Sequence, residues 1–161
     1  MTQQQKEKLL KEVEALRYRH QLADTVGPDY FEPGMMEHLA QSDGYYDPNT
    51  GRLMICFESQ GLRYNGRTEQ IEKVRLGDEI TVVREKENYD SFLLLTKEGY
   101  DVGDMPTALC NAVAPLLDEG SLTIERANVS FVAPISKRSR YARQAVLFVK
   151  LEMRIVNSVE S

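Results

Sequence analysis

A series of short apolar runs, each bounded by turn-forming residues, constrains the fold of this chain more than any other feature. Five such runs occur, at residues 53–57, 79–84, 91–96, 128–132 and 144–153. Gly77 and Gly99 mark two of the turns between them. Runs of this length that alternate with turns are typical of small β-barrels and sandwiches. The region therefore predicts a sheet of short strands.

One helical pattern interrupts this region, between Gly103 and Gly120. Its apolar residues recur at three-to-four spacing after Pro106, a residue suited to a helix start. Pro115 falls inside the pattern and destabilises a helix unless the helix bends or ends there. Many short strands and one helix in roughly 100 residues predict a mainly β, α+β fold. We expect a small OB- or SH3-like β-barrel with one helix packed on it, plus an N-terminal helical appendage.

The N-terminal appendage is predicted to be an amphipathic helix. Leu9, Val13, Leu16 and His20 recur at helical spacing, with charged residues between them. The narrow apolar stripe has two interpretations: it docks on the barrel, or it pairs with a second copy of itself. Docking is favoured because the pattern is too short for a strong coiled coil.

These patterns divide the chain into four segments: an amphipathic helix over 1–24, an acidic connector over 25–51, a barrel domain over 52–154 and a tail over 155–161. The connector carries a short-helix pattern over 33–41 and a turn over 47–51. Because a strand-like run follows this turn directly, Tyr45 and Tyr46 are predicted to belong to a partner strand.

Charge is distributed unevenly along the chain, whose net charge is −5. Residues 29–47 include five acidic residues and no Lys or Arg, whereas residues 126–154 include seven basic residues and one acidic residue, Glu152. A basic patch on an acidic protein still attracts phosphate. One hypothesis is that the acidic connector lies over the basic segment and restrains binding.

No pattern of a catalytic or metal site occurs in the sequence. Both histidines, His20 and His38, lie in the N-terminal part, and no phosphate-binding glycine loop or nucleophile elbow is present. Cys56 and Cys110 lie in apolar patterns and are predicted to be buried thiols, with a disulfide or a reactive thiol as the alternative. The sequence predicts no metal, no cofactor and no enzymatic activity. Without a membrane-length apolar run or a signal-peptide pattern, it predicts a cytoplasmic protein.

Two segments alternate aromatic and cationic residues: 61–67, Gly-Leu-Arg-Tyr-Asn-Gly-Arg, and 137–143, Lys-Arg-Ser-Arg-Tyr-Ala-Arg. This combination is typical of single-stranded nucleic-acid binding, because cations contact phosphates and aromatic rings stack on bases. The alternative for either segment alone is a solvated hairpin whose arginine stems lie along the surface.

Four pieces of sequence, in order, resemble the HIRAN domain. They are the motifs at 61–64, 84–90, 99–106 and 115–120. The resemblance covers about residues 52–152. HIRAN domains occur in fork-remodelling translocases and as small stand-alone bacterial proteins. The resemblance implies a modified OB-type barrel with a helix on it, and eukaryotic members capture the 3′ end of single-stranded DNA.

The resemblance also implies roles for individual residues. Arg63 would contact a phosphate, and Tyr64 would stack or pack beside the terminal nucleotides. Tyr89 would stack on a base. Asp90 would accept a hydrogen bond from the terminal 3′-hydroxyl, which selects an end because a carboxylate repels a continuing phosphate.

A second stacking aromatic is implied near the C-terminal strands, with Tyr141 as the match and Phe131 as the other candidate. The sequence departs from the family pattern where Asn88 precedes Tyr89 without an intervening proline. It also departs at Pro106, where DNA-binding members have a lysine. Phosphate contacts from the second basic loop would compensate, through Lys137, Arg138 or Arg140.

The sequence thus predicts a nucleic-acid-binding module that captures 3′ ends of single-stranded DNA, with a role in DNA repair or replication and a helicase or other protein as partner. The alternative is a protein-interaction or oligomerisation module. In that case the barrel is a scaffold, and the N-terminal helix binds a partner or a second copy.

Overall fold

The computed structural model of the chain describes residues 1–26, 45–85, 91–138 and 143–156. Its helices are α1 (Gln3–Val26), α2 (Arg67–Ile71) and α3 (Thr107–Asp118), with a 3-10 turn at Ile135–Lys137. Its strands are β1 (Tyr45–Tyr46), β2 (Arg52–Glu58), β3 (Glu79–Arg84), β4 (Phe92–Thr96), β5 (Asp101–Asp104), β6 (Leu122–Ala133) and β7 (Val146–Ile155). The fold is mainly β with appended helices, as predicted. The short helix predicted over 33–41 lies outside the described residues.

The seven strands of the described residues form one antiparallel sheet, in the order β1-β2-β7-β6-β3-β4-β5. Two bulges interrupt the long β6–β7 pairing, and bulges bend a strand and increase its twist. The sheet curls until the segment after β2 meets β5. There Gln60 and Asp104 exchange two backbone hydrogen bonds, of 2.9 and 3.0 Å. This bridge closes the curled sheet at one point and gives it the form of a small barrel.

The hydrophobic core lies between the inner face of the sheet and α3. The stripe predicted on α3 faces it, since Leu109, Val113 and Leu116 are buried there with the inward residues of β2 and β7. Cys56 and Cys110 are both buried, and no disulfide joins them. Among the described helices, none combines the length and the apolar composition that crossing a membrane requires.

Helix α1 packs against α3 and β2. Leu9 and Val13, two of the residues that predicted the apolar stripe, are buried in the same core as the barrel. Docking is therefore the arrangement adopted by this part of the helix. The side chains of Leu16 and His20 lie outside the described residues.

A buried carboxylate lies in the wall formed by β2, β7 and β6. Glu152 is 4% exposed and accepts hydrogen bonds from Arg52, at 2.9 Å, and from Arg126. Burial opposes its ionisation, yet the hydrogen bonds from Arg126 and Arg52 hold the pKa of Glu152 below its ordinary value. Because the folded-state pKa is lowered, the ionised group stabilises the fold above the unfolded-state pKa of about 4.3.

We expect Glu152→Gln to lower the free energy of unfolding by about 1–2 kcal/mol at pH 7, because the amide cannot replace the charge-assisted hydrogen bonds. At pH 3 the difference should shrink, since below about pH 4.3 the unfolded wild-type chain takes up a proton at Glu152 and the stabilisation from the ionised group is progressively lost. Urea denaturation of both proteins at the two pH values measures this. An equal loss of stability at both would contradict the assigned electrostatic role.

Candidate nucleic-acid interface

The first cation–aromatic segment forms an exposed loop directly after the closing bridge. The loop leaves the barrel at Gly61, which has φ 71°, and Leu62 is buried beneath it. The Tyr64 amide donates a hydrogen bond to the Gly61 carbonyl at 3.2 Å and so closes a turn. Arg63 is exposed, and Tyr64 is 62% exposed. Both side chains are therefore accessible to a ligand.

Arg67, the last cation of this segment, lies inside the structure instead. It is 5% exposed and donates to both Asp104 oxygens, at 2.8 and 3.1 Å, to Asp101 at 3.0 Å and to the Gly61 carbonyl at 3.3 Å. Burial lowers the pKa of Arg67, but Asp104 and Asp101 outweigh burial and hold it above its ordinary value. Arg67 thus joins the loop to β5 as a permanently charged anchor.

A pocket of about 290 Å³ lies beside this loop, between the closing bridge and the start of α3. Gln60 lines one side and immediately precedes the loop, whereas Ser91 lines another and immediately follows segment 86–90. Ser91 is fixed by Glu85, whose amide donates to the Ser91 carbonyl at 2.9 Å. The pocket is therefore lined by residues that are next in sequence to both parts of the predicted site, the 61–67 loop and segment 86–90. Tyr89 and Asp90 lie outside the described residues.

Helix α2 connects the two cation–aromatic segments. The Thr68 hydroxyl donates to the Leu62 carbonyl at 2.6 Å and accepts a hydrogen bond from the Ala145 amide at 3.4 Å. Leu62 belongs to the first segment, and Ala145 follows shortly after the second, 137–143. The structure thus brings together two segments that are separated by about 70 residues in sequence.

The second segment contains one exposed cation and one structural cation among its described candidate residues. Lys137 is exposed at the end of the 3-10 turn. Arg138 is half-buried and donates to the Gln144 carbonyl at 2.6 Å, which holds the two ends of the segment together. Arg140 and Tyr141 lie outside the described residues.

Other cations that contributed to the basic region are engaged in ion pairs on the barrel. Arg126 pairs with Glu152, and Arg154 pairs with Glu125. Both side chains lie at the surface, but each guanidinium is paired with a carboxylate. The charge asymmetry read from the sequence therefore overstates the net positive charge that a ligand meets.

Phe131, the alternative to Tyr141 as a stacking residue, packs in a small second hydrophobic cluster. Its ring meets the Phe148 ring edge to face, with centroids 6.4 Å apart, and Cys56 and Val146 belong to the same cluster. Phe131 is partly buried there. This packing assigns Phe131 a structural role.

Fold and site together define a small antiparallel barrel with an exposed cation–aromatic loop beside a pocket. No family model matches the chain, and no curated protein matches it in sequence. Among solved structures, the chain is similar to the HIRAN domain of human HLTF, with a TM-score of 0.43 and 17% identity. The match covers 65% of this chain and 81% of that one. It is the same domain that the sequence motifs resemble.

Proposed function

We propose that this chain is a nucleic-acid-binding module that captures the 3′ end of single-stranded DNA. The observation that carries the proposal is the loop bearing Arg63 and Tyr64. Both side chains are exposed on a loop that Arg67 anchors to the barrel, and Ser91, which follows Tyr89 and Asp90 in sequence, lines the pocket beside it. A cation–aromatic pair on an anchored loop next to a concave pocket suits a strand end.

The chemistry of each side chain supports this binding mode. The Arg63 guanidinium can form hydrogen bonds with two oxygens of one phosphate. The Tyr64 ring offers a stacking surface that tolerates any base. Because the Arg67 ion pairs hold the loop in place before binding, less conformational entropy is lost when a ligand binds.

End selection is assigned to Asp90, on the role that the sequence resemblance implies. A carboxylate accepts a hydrogen bond from a free 3′-hydroxyl and repels the phosphate of a continuing strand or of a phosphorylated end. The module would then bind strand ends without cutting or joining them. We place it, as a non-enzymatic cytoplasmic protein, in DNA repair or replication alongside a helicase or other protein partner.

The alternative function, partner binding through α1, is less well supported by the geometry. Leu9 and Val13 are buried against the barrel, so they are not available to a partner helix unless α1 detaches. Detachment would expose core surface, which is unfavourable.

Fluorescence anisotropy with matched oligonucleotides tests the proposed function. We expect tight binding to a single strand with a free 3′-hydroxyl, and binding weaker by at least about tenfold to the same strand with a 3′-phosphate or to a blunt duplex. Asp90→Asn should remove most of the discrimination between hydroxyl and phosphate ends. Tyr64→Ala should weaken binding to all single strands, by about 1–3 kcal/mol for one lost stack.

Lys11→Ala, which removes an exposed cation on α1, is the matched control and should bind like wild type. Equal affinity of the wild type for both kinds of 3′ end would refute end capture. Absence of binding to every oligonucleotide would refute nucleic-acid binding altogether.

A further inference from the structure

A second concave surface, which the sequence patterns did not indicate, lies on the far side of α2. This groove has a volume of about 390 Å³ and runs between the chain after α2 and the end of β6. Leu76, Val132 and Pro134 line it with apolar surface, and Arg75 and Lys137 stand among its lining residues. Leu76 is 58% exposed, so its side chain offers apolar surface to a ligand.

The apolar ledge formed by Leu76 is held in place by the backbone around it. The Arg75 amide donates to the Asp78 carboxylate at 2.9 Å. The Gly77 amide donates to the Val129 carbonyl at 2.9 Å, and the Val129 amide donates to the Asp78 carbonyl at 2.8 Å. Because these bonds tie the turn to β6, Leu76 remains exposed instead of folding down onto the barrel.

The charges of the groove favour an anionic occupant. Arg75 and Lys137 are both exposed, whereas Glu72 is the one acidic residue among those that line the groove. The Glu72 carboxylate lies 3.5 Å from the Ser136 amide, which donates a hydrogen bond to it. An apolar ledge with surplus positive charge suits a polyanion that has apolar faces, and single-stranded nucleic acid has both phosphates and flat bases.

Along the chain, only helix α2 separates the groove from the Arg63–Tyr64 loop. Helix α2 begins at Arg67, the anchor of the Arg63–Tyr64 loop, and ends at Ile71, directly before Glu72. Five helical residues span about 7.5 Å, and each stacked nucleotide adds about 3.4 Å to the length of a strand. The length of α2 therefore matches about two nucleotides. Lys137 belongs to the second basic segment and to the groove alike.

We infer that this groove is a second contact site for the same DNA strand, and that it binds a nucleotide two to four positions from the captured 3′ end. The inference rests on the proposed function. The base lies on the apolar surface of Leu76 and Val132, and Arg75 and Lys137 contact the flanking phosphates. The affinity of the module consequently depends on the length of the strand as well as on its free 3′ end.

Binding of single strands of two, four, six and ten nucleotides, each with a free 3′-hydroxyl, tests this inference. We expect wild-type affinity to rise about tenfold between two and six nucleotides and then to level off, since one added stack is worth about that factor. Leu76→Ser should leave dinucleotide affinity unchanged and abolish most of the rise. Arg75→Ala should reduce the dependence of log K on log salt by about 0.7 for the six- and ten-nucleotide strands and leave it unchanged for the dinucleotide.

Val156→Ser is the matched control. Val156 is an exposed apolar residue directly after β7, at the end of that strand away from the groove. This variant should keep both the dinucleotide affinity and the rise with length. A rise that persists in Leu76→Ser overturns the second site and leaves the proposed function intact. Weakening of the dinucleotide by the same factor overturns it as well, because the effect is then not local.

The remaining outcomes also decide the matter. If no oligonucleotide of any length binds, the proposed function fails and the second site fails with it. If short strands bind without a rise, and a decapeptide of alternating aspartate and leucine binds wild type but not Leu76→Ser, the groove is a protein-binding site and the inference is overturned.

Discussion

Arg67→Met is expected to lower the free energy of unfolding by about 2–3 kcal/mol, somewhat less than breaking a fully buried ion pair. The side chain is buried, but its partners Asp101 and Asp104 are each about one-third exposed and can regain some hydration. Methionine fills much of the volume and forms none of the four hydrogen bonds. Urea denaturation at pH 7 measures the loss.

The same substitution should also weaken single-strand binding under conditions where the variant is fully folded. Loss of the anchor to Asp104 and to the Gly61 carbonyl leaves Arg63 and Tyr64 on a looser loop, so ordering the loop opposes binding. Arg67→Lys keeps the charge but not the two-pronged geometry, and it should give intermediate values for both. Unchanged stability in Arg67→Met would show that the ion pairs contribute nothing net.

Gly103→Ala should destabilise the fold more, by about 3 kcal/mol or beyond, because conformational strain and overpacking add. Gly103 has φ 121°, which side chains rarely adopt. A Cβ at this position would lie 1.8 Å from the Ser59 hydroxyl oxygen and 2.9 Å from the Gln60 carbonyl oxygen. Since that carbonyl belongs to the closing bridge, relieving the clash disturbs the barrel itself. Chemical denaturation gives the magnitude.

Gly99→Ala separates the two contributions. Gly99 also has a positive φ, of 91°, but nothing lies within 4 Å of its added Cβ, so strain alone should cost about 1–2 kcal/mol. Ser59→Ala in the Gly103→Ala background should restore part of the stability by removing the closest contact. Equal losses at the two glycines would mean that packing at Gly103 is unimportant.

The strands that were predicted from sequence are those whose residues alternate or are continuously apolar. Strand β5 was not among them, because Asp101 and Asp104 flank a valine and a glycine, a composition unlike that of a strand. It is a strand because Leu93 and Gln60 pair with it from either side. Helix α2 was missed for a similar reason, since five residues are too few to display a period.

In the candidate site too, the features predicted from sequence are local ones, and the features that were missed depend on distant residues. Exposure of Arg63, Tyr64 and Lys137 agrees with the pattern of cations and aromatics, which is a local property. The anchoring role of Arg67 depends on carboxylates 34 and 37 positions further along the chain, and no local signal indicates that pairing. The roles of Tyr89, Asp90, Arg140 and Tyr141 remain predictions.

The groove beside Leu76 is another feature that could not be predicted from the sequence. A leucine in a turn reads as an isolated apolar residue, and such residues are common on protein surfaces. It becomes part of a groove only because the turn is hydrogen-bonded beside β6, which lies some 50 residues later in the chain. The spacing of residues in the sequence does not indicate that β6 lies next to this turn.

The bridge between Gln60 and Asp104 also has a consequence for dynamics. A bridge of two hydrogen bonds is a far shorter ladder than β6 with β7, so local opening should require less free energy there than along β6 and β7. Both residues of the bridge line the pocket beside the exposed loop. A ligand that binds only the closed form must therefore lower the fraction of molecules in which this bridge is open. Occupancy of the pocket and closure of the barrel are consequently coupled.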